Sequence, residues 1–386
     1  MTGAADLPDW PPLTLADADL ILRHYPQFGF ATELLSESPR PLSSAGIVST
    51  PAGPVFIKRH HRSVRSKAGL LEEHRFLQHL AAASWIDSPT LIQRPYSNSN
   101  GETVVFEGEW TCEVHPVAPG LDLYEDALSW TPFQSTGHAR AAGRALARLH
   151  HAAAGFSAPP RQTGQLVTSF TIFAGNNIEP AKQMEAYLAT RPLLQSYAEA
   201  RNWRRDLQEI HLPFYRELEP WTSHLTPLWT HNDFHASNLM WTVASPSAEV
   251  ANIVDFGLSD RTNTVHDLAT TIERNIVEWL RLGEPDIVRF DHLDALLSGY
   301  LELRPLQYPE ARALVSMLPL VHCEFALSET DYFLSILHSE EKAKLAYEGY
   351  FLRHTAWFLE PQGRQLLAYL SNWIEKNWAD TQGRAK

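Results

Sequence analysis

The feature that most constrains this chain is a run of polar residues at 230–241, THNDFHASNLMW. Within it, His231, Asp233 and Asn238 make the pattern H-x-D-x-x-x-x-N, and the tripeptide Asp-Phe-Gly follows at 255–257. In sequences of ordinary composition the two patterns meet at such a distance about once in ten thousand or less. The pair therefore indicates one shared site.

The two patterns together supply the side chains of a phosphoryl-transfer site. Such a site places one carboxylate beside the acceptor hydroxyl, and an amide and a second carboxylate on Mg²⁺. Asp233 is the candidate for the first carboxylate, and Asn238 and Asp255 are the candidate magnesium ligands. The spacing thus favours transfer of phosphate from a nucleotide.

A site of this kind also needs a lysine on an early strand, which is held by a glutamate on the next helix. The strand-like segment PVFIKRH supplies Lys58. In the following helical segment, Glu73 precedes Phe76 and Leu77 by three and four residues, which puts it beside the apolar stripe. We therefore prefer Glu73 to its neighbour Glu72 as the partner of the lysine.

Lys58 also opens a basic run, KRHHRSVRSK, which ends at Lys67. Such a run can be a solvent-exposed edge or an anion-binding patch without any part in catalysis. The position of Lys58 on the third predicted strand favours the nucleotide-binding role.

Changes of pattern along the chain predict two lobes. Residues from about 28 to 60 read as short strands separated by turns, an amphipathic helix is predicted at Lys67–Ala82, and β-rich sequence then returns. After the Pro/Gly-containing segment PVAPGLDL, helical patterns dominate. The expected fold is α+β: an N-terminal nucleotide-binding lobe of antiparallel sheet plus helix at 1–112, and a larger, mainly helical lobe at 113–386.

Helical periodicity continues through most of the second lobe. Four segments show it: GHARAAGRALARLHHAAAG, RNWRRDLQEIHLPFYRELEPW, HDLATTIERNIVEWLRLG and LVHCEFALSETDYFLSIL. Three short apolar segments around the polar run, PLWT, LMWTV and ANIVDF, predict short strands.

Composition excludes several classes of protein. The 386 residues, 44% of them hydrophobic, can bury a large core, and a net charge of −13 argues against a nucleic-acid surface. Cys112 and Cys323 lie far apart, without the spacing of a disulfide framework or thiolate metal site. The acidic start is no export signal, and His322 and Glu324 interrupt the apolar run from Ala313 well short of a membrane span of roughly 20 residues. We expect a cytoplasmic protein without membrane partners.

These motifs resemble those of the aminoglycoside phosphotransferase and choline kinase-like family, whose members are relatives of the protein kinases. THNDFHASNLMW resembles the catalytic loop of the family, NIVDFGLSD its metal loop and VFIKR its nucleotide lysine strand. PGLDL and GRALARLHH resemble the segment after its hinge. The order of motifs matches from about Leu42 to Asp267, and the later helices match in general character.

The resemblance implies a two-lobed protein kinase-like fold and a role for each motif residue. Asp233 would orient the acceptor hydroxyl and take its proton late, while Asn238 and Asp255 would hold Mg²⁺. The nucleotide, ATP or GTP, would lie between the lobes. The other implied roles are phosphate binding by Lys58 with Glu73, adenine contacts from the backbone of Glu113, Val114 and His115, bracing of the catalytic loop by Asp267, and support of that loop by His231.

The sequence departs from the family pattern at two places. The loop above the phosphates is often glycine-rich, but PLSSAGIVS contains only Gly46, so Ser43 and Ser44 would supply hydroxyls or amides instead. After His231, many relatives carry glycine where this chain has Asn232. Asparagine tolerates a left-handed backbone better than most residues, so the loop can keep its path.

Acidic residues of the later helices are candidates for binding the acceptor. They could form a pocket for an amine-bearing substrate, although solvated helix faces have the same pattern. The candidate acceptor-binding residues are His235, Glu273, Glu324, Glu329 and Asp331.

Two other interpretations stay open at this stage. A pseudokinase would bind a nucleotide in a regulatory role without transferring phosphate. A zinc-dependent hydrolase could use the cluster His231, Asp233 and His235, although zinc peptidase motifs carry glutamate where Asn232 stands. The favoured function is a small-molecule kinase that uses Mg²⁺ and phosphorylates a hydroxyl of a metabolite or antibiotic, and the sequence leaves the acceptor and the oligomeric state open.

Overall fold

The computed structural model of the chain describes residues 9–38, 42–83, 92–161, 164–175 and 178–384, with 378–384 described by backbone alone.

The N-terminal lobe is built on a five-stranded antiparallel sheet. Its strands lie in the order β1-β2-β3-β5-β4, which has the third strand at the centre. The helix α2 at Lys67–Ala82 has the predicted bounds, and a shorter helix, α1 at Leu15–Leu22, precedes the sheet. The strands are β1 Glu33–Glu37, β2 Ser44–Ser49, β3 Val55–His61, β4 Val105–Glu107 and β5 Trp110–Pro116.

The predicted lobe boundary after residue 112 falls inside β5. This strand pairs with β3 along its whole length, from Val55 opposite Pro116 to His61 opposite Trp110. Because a paired strand belongs to its sheet, the N-terminal lobe extends to Pro116 and the connection between lobes begins after it.

The C-terminal lobe is mainly helical, as predicted. Its α-helices are α3 Thr136–Ala153, α4 Pro180–Ala189, α5 Pro192–Glu199, α6 Trp203–Asp206, α7 Leu212–Leu218, α8 Thr264–Ile276, α9 Phe290–Leu303, α10 Tyr308–Met317, α11 Cys323–Ser335, α12 Glu340–Lys344, α13 Thr355–Trp357 and α14 Pro361–Arg384. Two π-helical segments lie at Leu207–His211 and Leu345–His354, and short 3₁₀ turns lie at Glu219–His224, Ala236–Asn238, Phe256–Leu258, Trp279–Arg281 and Leu318–Leu320. One more 3₁₀ turn, Pro26–Phe28, lies in the N-terminal lobe.

Four short strands carry the polar run and the tripeptide that follows it. They form two antiparallel pairs, β6 with β9 and β7 with β8. The three strands predicted around the polar run are confirmed. The bounds are β6 Pro227–Thr230, β7 Leu239–Trp241, β8 Val250–Ile253 and β9 Asp260–Asn263.

Helix α8 is shorter than its periodicity predicts. The pattern continues to residue 283, but α8 ends at Ile276 because Val277 takes an extended conformation and bridges to Val288. A tertiary contact therefore overrides a local preference for helix.

One helical stretch, Tyr308–Ser335, has the length and apolar composition of a membrane span. In its most apolar window, however, 83% of the residues are buried inside the protein. Core helices of globular proteins pass the same compositional test.

Helix α2 packs on the large core of the C-terminal lobe. Its Phe76 ring lies 5.6 Å from Trp229, 5.1 Å from Phe156 and 6.1 Å from Phe256, measured between ring centroids. A separate, smaller core joins α1 to the sheet. The aromatic contacts fix α2 against the tripeptide loop at 255–257, and so position both lobes around one cleft.

Helices α3 and α9 cross at two glycines. A Cβ atom on Gly143 would overlap the carbonyl oxygen of Leu296, and one on Gly299 would overlap that of Arg140. The crossing places His150 of α3 next to Tyr300 of α9, with His150 Nδ1 2.8 Å from the tyrosine hydroxyl.

We expect Gly143→Ala to lower the free energy of unfolding by about 1–3 kcal/mol, because the added methyl group forces the two backbones apart. Urea denaturation measures the change. Gly164→Ala is the matched control, since no heavy atom lies within 4 Å of a Cβ built there. Equal stability of the two variants would contradict the close crossing.

Candidate active site

The polar run leaves β6 through a left-handed residue. Asn232 has φ of 62°, as the prediction for this position allowed. Its side-chain oxygen accepts hydrogen bonds from Thr230 Oγ1 at 2.8 Å and Thr262 Oγ1 at 3.0 Å, and its amide nitrogen donates to the Leu258 carbonyl at 3.2 Å. The side chain thus fixes the backbone turn that carries the next residue, Asp233.

Asp267, in the first turn of α8, binds the backbone of the same loop. Its carboxylate accepts the backbone N–H groups of His231 at 3.0 Å and Asn232 at 2.8 Å, and it contacts His150 Nε2 at 3.0 Å. Burial alone would raise the pKa of Asp267, but these hydrogen bonds lower it below its usual value. A buried, ionised carboxylate therefore determines the path of the loop.

His231 connects the two halves of the site through the backbone. Its Nδ1 accepts the N–H of Asp233 at 3.2 Å, which leaves Nε2 to donate to the carbonyl of Val254 at 3.1 Å. Both ring nitrogens are thus engaged, so the zinc cluster of His231, Asp233 and His235 is not formed. In the described part of the chain, the groups of three His, Cys, Asp or Glu side chains whose ligand atoms converge lie elsewhere.

Asp233 faces a cation that the sequence analysis did not single out. Its Oδ1 lies 3.2 Å from Arg274 Nη1, and its Oδ2 lies 3.6 Å from His235 Nε2. Burial would raise the pKa of Asp233, but Arg274 and then His235 hold it well below its usual value. Asp233 is therefore ionised at neutral pH. Arg274 follows Asp267 by seven residues on α8, a two-turn spacing that could have indicated it.

Asn238 lies in the 3₁₀ turn after Asp233. Its side-chain nitrogen donates to the Asp233 carbonyl at 3.0 Å and lies 3.3 Å from Asp233 Oδ2. Because the nitrogen is used inside the loop, the side-chain carbonyl oxygen is the atom that Asn238 can offer to a metal ion.

Lys58 and Asp255 meet across the cleft between the lobes. Lys58 Nζ lies 3.0 Å from Asp255 Oδ1, although the two residues are 197 positions apart. Burial would lower the pKa of Lys58, but Asp255 and Glu113 raise it above its usual value. Burial likewise opposes ionisation of Asp255, and Lys58 lowers its pKa. The structure thus brings the predicted lysine to the predicted metal loop.

Glu73 does not form the predicted ion pair with Lys58. Its Oε2 lies 3.1 Å from Arg161 Nη2, which also donates to the Gly69 carbonyl at 3.0 Å. The other guanidinium nitrogen, Nη1, donates to the carbonyl of Gly257 at 2.8 Å. Because a guanidinium presents several donors in a fixed plane, Arg161 takes the buried carboxylate and ties α2 to the metal loop.

The backbone of Glu113, Val114 and His115, which was predicted to meet the adenine, lies within β5. These residues pair with β3, and the Val114 carbonyl also accepts the N–H of Tyr96 at 2.7 Å. The carbonyl of Val114 is therefore engaged within the protein. The Glu113 side chain is instead buried among histidines, with His74 Nε2 at 2.7 Å, His115 Nε2 at 2.9 Å and His60 Nε2 at 3.3 Å.

The two predicted loop serines differ in their surroundings. Ser44 is buried in β2, and its hydroxyl accepts from Arg59 Nε at 3.1 Å, which takes it away from a phosphate role. Ser43 is half-buried in the turn between β1 and β2, part of which, residues 39–41, is outside the described chain. Gly46 lies in β2, where a Cβ would overlap the Ser36 carbonyl oxygen, so the close approach of β1 requires it.

Several acceptor candidates are engaged within the protein. Glu324 accepts the backbone N–H groups of Thr171 at 2.5 Å and Ile172 at 2.7 Å, and also binds the hydroxyl of Ser169, so it anchors a loop rather than facing an acceptor. Asp331 is buried and accepts from Gln165 Nε2 at 3.3 Å.

The other three candidates differ in their surroundings. Glu329 is half-buried on α11. His235 contacts Asp233, and Glu273 directly precedes Arg274 on α8. Of the five predicted acceptor residues, His235 is therefore the one that a described contact links to Asp233.

The model of the phosphotransferase enzyme family matches residues 46–306 of the chain, well over half of it. The chain belongs to this family. The family predicted from the motifs is thereby confirmed, and the protein is a phosphotransferase that acts on an alcohol group. No curated protein compared with the chain matches it in sequence.

Solved structures of phosphotransferases share the two-lobed, kinase-like fold. An aminoglycoside phosphotransferase from Alicyclobacillus acidocaldarius subsp. acidocaldarius DSM 446 is 16% identical, with a TM-score of 0.50 over 95% of this chain and 98% of that one. A thermostable mutant of aminoglycoside phosphotransferase APH(4)-Ia, in complex with ADP and hygromycin B, is 12% identical, with a TM-score of 0.49 over 86% and 95%. Spectinomycin phosphotransferase APH(9)-Ia, in complex with ADP and spectinomycin, is 12% identical, with a TM-score of 0.47 over 95% and 99%.

We expect Arg274→Met to shift the acidic limb of the pH profile of kcat/KM to higher pH. Without the guanidinium, burial raises the pKa of Asp233, so the carboxylate becomes protonated at a higher pH than in the wild type. Steady-state kinetics across the pH range measure the shift. Arg281→Met, which removes an exposed arginine paired with Glu278 and Glu284, is the control. An unmoved acidic limb would show that Arg274 does not tune Asp233.

Proposed function

We propose that the protein transfers the γ-phosphate of ATP or GTP, with Mg²⁺, to a hydroxyl group of a small molecule. The observation that carries the proposal is the contact of Lys58 with Asp255 at 3.0 Å, next to a loop that presents Asp233 and Asn238. Four side chains that are distant in sequence thus border one cleft.

The nucleotide phosphates would lie where Lys58 and Asp255 now meet. A lysine on the central strand attracts the phosphate oxygens as a point charge, and separation of the ion pair would let the phosphates and a cation enter between its partners. Ser43, in the turn above, is the remaining candidate of the two loop serines. The base would contact backbone groups after Pro116.

The residues present fit Mg²⁺. The Asp255 carboxylate and the Asn238 side-chain carbonyl are oxygen donors, which this ion prefers over nitrogen and sulfur. Asp233 is near enough to Asp255 to raise the pKa of that carboxyl, so the negative charges of the two residues attract a cation. When bound, Mg²⁺ would neutralise charge on the transferred phosphate.

Asp233 would position the acceptor. Since Arg274 and His235 keep it ionised, its carboxylate can accept a hydrogen bond from the acceptor hydroxyl and orient the oxygen toward the γ-phosphate. The transition state of phosphoryl transfer is loose, so the hydroxyl proton would move to Asp233 late. Asp267 and His231 would keep the loop in place during this step.

For the acceptor we propose a chemical class and no single compound. The complexes of APH(4)-Ia with hygromycin B and APH(9)-Ia with spectinomycin support a small, hydroxyl-bearing molecule. Because Glu324 and Asp331 are engaged inside the protein, fewer carboxylates are available to an amine-bearing acceptor than the sequence suggested. We also propose a cytoplasmic location, in agreement with the two buried, free cysteines, Cys112 and Cys323.

We expect Asp233→Ala and Asp255→Ala each to lower kcat at least about a hundredfold, because both remove groups that act in the transition state. Turnover of the purified variants measures the loss, and thermal unfolding checks that they fold. Glu209→Ala, at an exposed ion pair with Arg205, is the control. Full activity in the Asp233 variant would exclude its assigned role.

A nucleotide-consumption screen identifies the acceptor. Wild-type protein with Mg²⁺ and either ATP or GTP is tested against aminoglycosides, macrolides, choline, homoserine and sugars. Consumption that needs an acceptor and is lost in the Asp255 variant supports the proposal. Nucleotide binding without consumption, with every acceptor tested, would favour a pseudokinase.

A further inference from the structure

Three buried side chains beside the candidate active site have no part in the proposed phosphate transfer. Glu273 lies in α8, His322 directly precedes α11, and His354 ends the π-helix at Leu345–His354. Their exposed fractions are 1%, 8% and 2%. Each offers one potential metal ligand atom, and the three atoms lie within 4.8 Å of one another.

The cluster contains polar atoms that the protein does not satisfy. Glu273 Oε1 lies 3.1 Å from His354 Nδ1, but Glu273 Oε2, His322 Nε2 and His354 Nε2 have no hydrogen-bond partner among the described residues. Buried polar atoms in native proteins nearly always have one, since losing hydration without replacement is costly. Three unpaired atoms in one cluster therefore point to a ligand.

The local charges suit a cation. The cluster lies close to the guanidinium of Arg274, which contacts Asp233 and lies against Trp130. Glu273 contributes a carboxylate, and Asp233 lies near enough to act on His322 electrostatically. The two carboxylates outweigh the single guanidinium of Arg274.

We propose that Glu273, His322 and His354 form a binding site for a divalent transition-metal ion of the zinc class. Two imidazoles and a carboxylate are a common ligand set for Zn²⁺, whereas Mg²⁺ prefers oxygen atoms alone. The site is distinct from the pair Asn238 and Asp255, and it does not rest on the proposed function.

The ion would join three helical elements that are far apart in the sequence. The Trp130 ring packs against this cluster, with its centroid 5.2 Å from the ring centroids of both His322 and His354. The guanidinium of Arg274 lies 4.2 Å from the centroid of the same tryptophan and contacts Asp233. Metal binding would thus stabilise the helical lobe and fix the wall beside the catalytic loop.

A second group with the same residue types provides an internal comparison. His74, Glu113 and His115 also bring ligand atoms within 4.8 Å of one another. Here, however, Glu113 contacts both histidines at 2.7 and 2.9 Å, and the other nitrogen of His74 lies 2.8 Å from the Thr103 hydroxyl. Because its atoms are already paired, this group has less to gain from an ion.

The test begins with wild-type protein that has been depleted of metal with a chelator. Zn²⁺ is titrated in competition with a chromophoric chelator, and Co²⁺ serves as a spectroscopic probe of ligand geometry. We expect one ion per chain, visible d–d absorption with Co²⁺, and a melting temperature that rises with Zn²⁺ concentration. Failure of the folded wild-type protein to bind either ion would overturn the proposal, whatever the variants do.

Variants then locate the ion. His322→Gln and His354→Gln should each lower the Zn²⁺ affinity at least about tenfold, a loss that even outer-shell changes produce. His211→Gln is the matched control, because this buried histidine contacts the backbone carbonyls of Phe351 at 3.0 Å and Asp206 at 3.4 Å.

The second control separates the two groups. His74→Gln should leave Zn²⁺ binding unchanged, and loss of binding in that variant but not in the His322 and His354 variants would overturn the assignment. Phosphotransfer with Mg²⁺ is assayed separately. Zn²⁺ binding without any phosphotransfer would contradict the proposed function and leave the metal site standing.

Discussion

The geometry of the site depends on one buried charge, the carboxylate of Asp267. An ionised carboxylate inside a protein is stable only when its oxygens are fully engaged, and this one receives two backbone N–H groups and His150. The two N–H groups belong to consecutive residues, so the loop must turn there, and the left-handed Asn232 makes the turn. Its neighbour His231 then reaches Val254, directly before the metal loop. The positions of the two loops follow from this one contact.

Two arginines connect the N-terminal lobe to the metal loop. Arg161 and Arg65 both donate to the Gly257 carbonyl, while Arg161 also holds Glu73 on α2. Helix α2 is thus tied to the metal loop by guanidinium groups. Lys58 remains on the central strand, paired with Asp255 in the cleft. The contacts that tie α2 to the loop at 255–257 are thus made by arginines.

The side of the cleft beyond Asp233 is built from aromatic rings and imidazoles more than from acids. Trp130, His322 and His354 pack together there, and Arg274 lies between them and the carboxylate of Asp233. Most of the acidic residues that were candidates for amine recognition make contacts inside the protein. Glu324, for example, accepts hydrogen bonds from the backbone of the loop at 169–172. This side of the cleft therefore presents imidazole nitrogens more than carboxylates, and imidazole nitrogens are suitable ligands for a transition-metal ion.

By itself the sequence determined the fold class, the family, the bounds of α2 and the strands around the catalytic loop, because periodicity and motif spacing are local properties of the chain. Only the tertiary structure decided which charges pair. Glu73 meets Arg161 across 88 positions, and Glu324 meets the backbone of Thr171 across 153. Spacing cannot choose among partners of equal charge, since the choice depends on distance and burial after packing. For the same reason, the contact of Arg274 with Asp233 and the cluster around His354 emerged only when the helices were placed together.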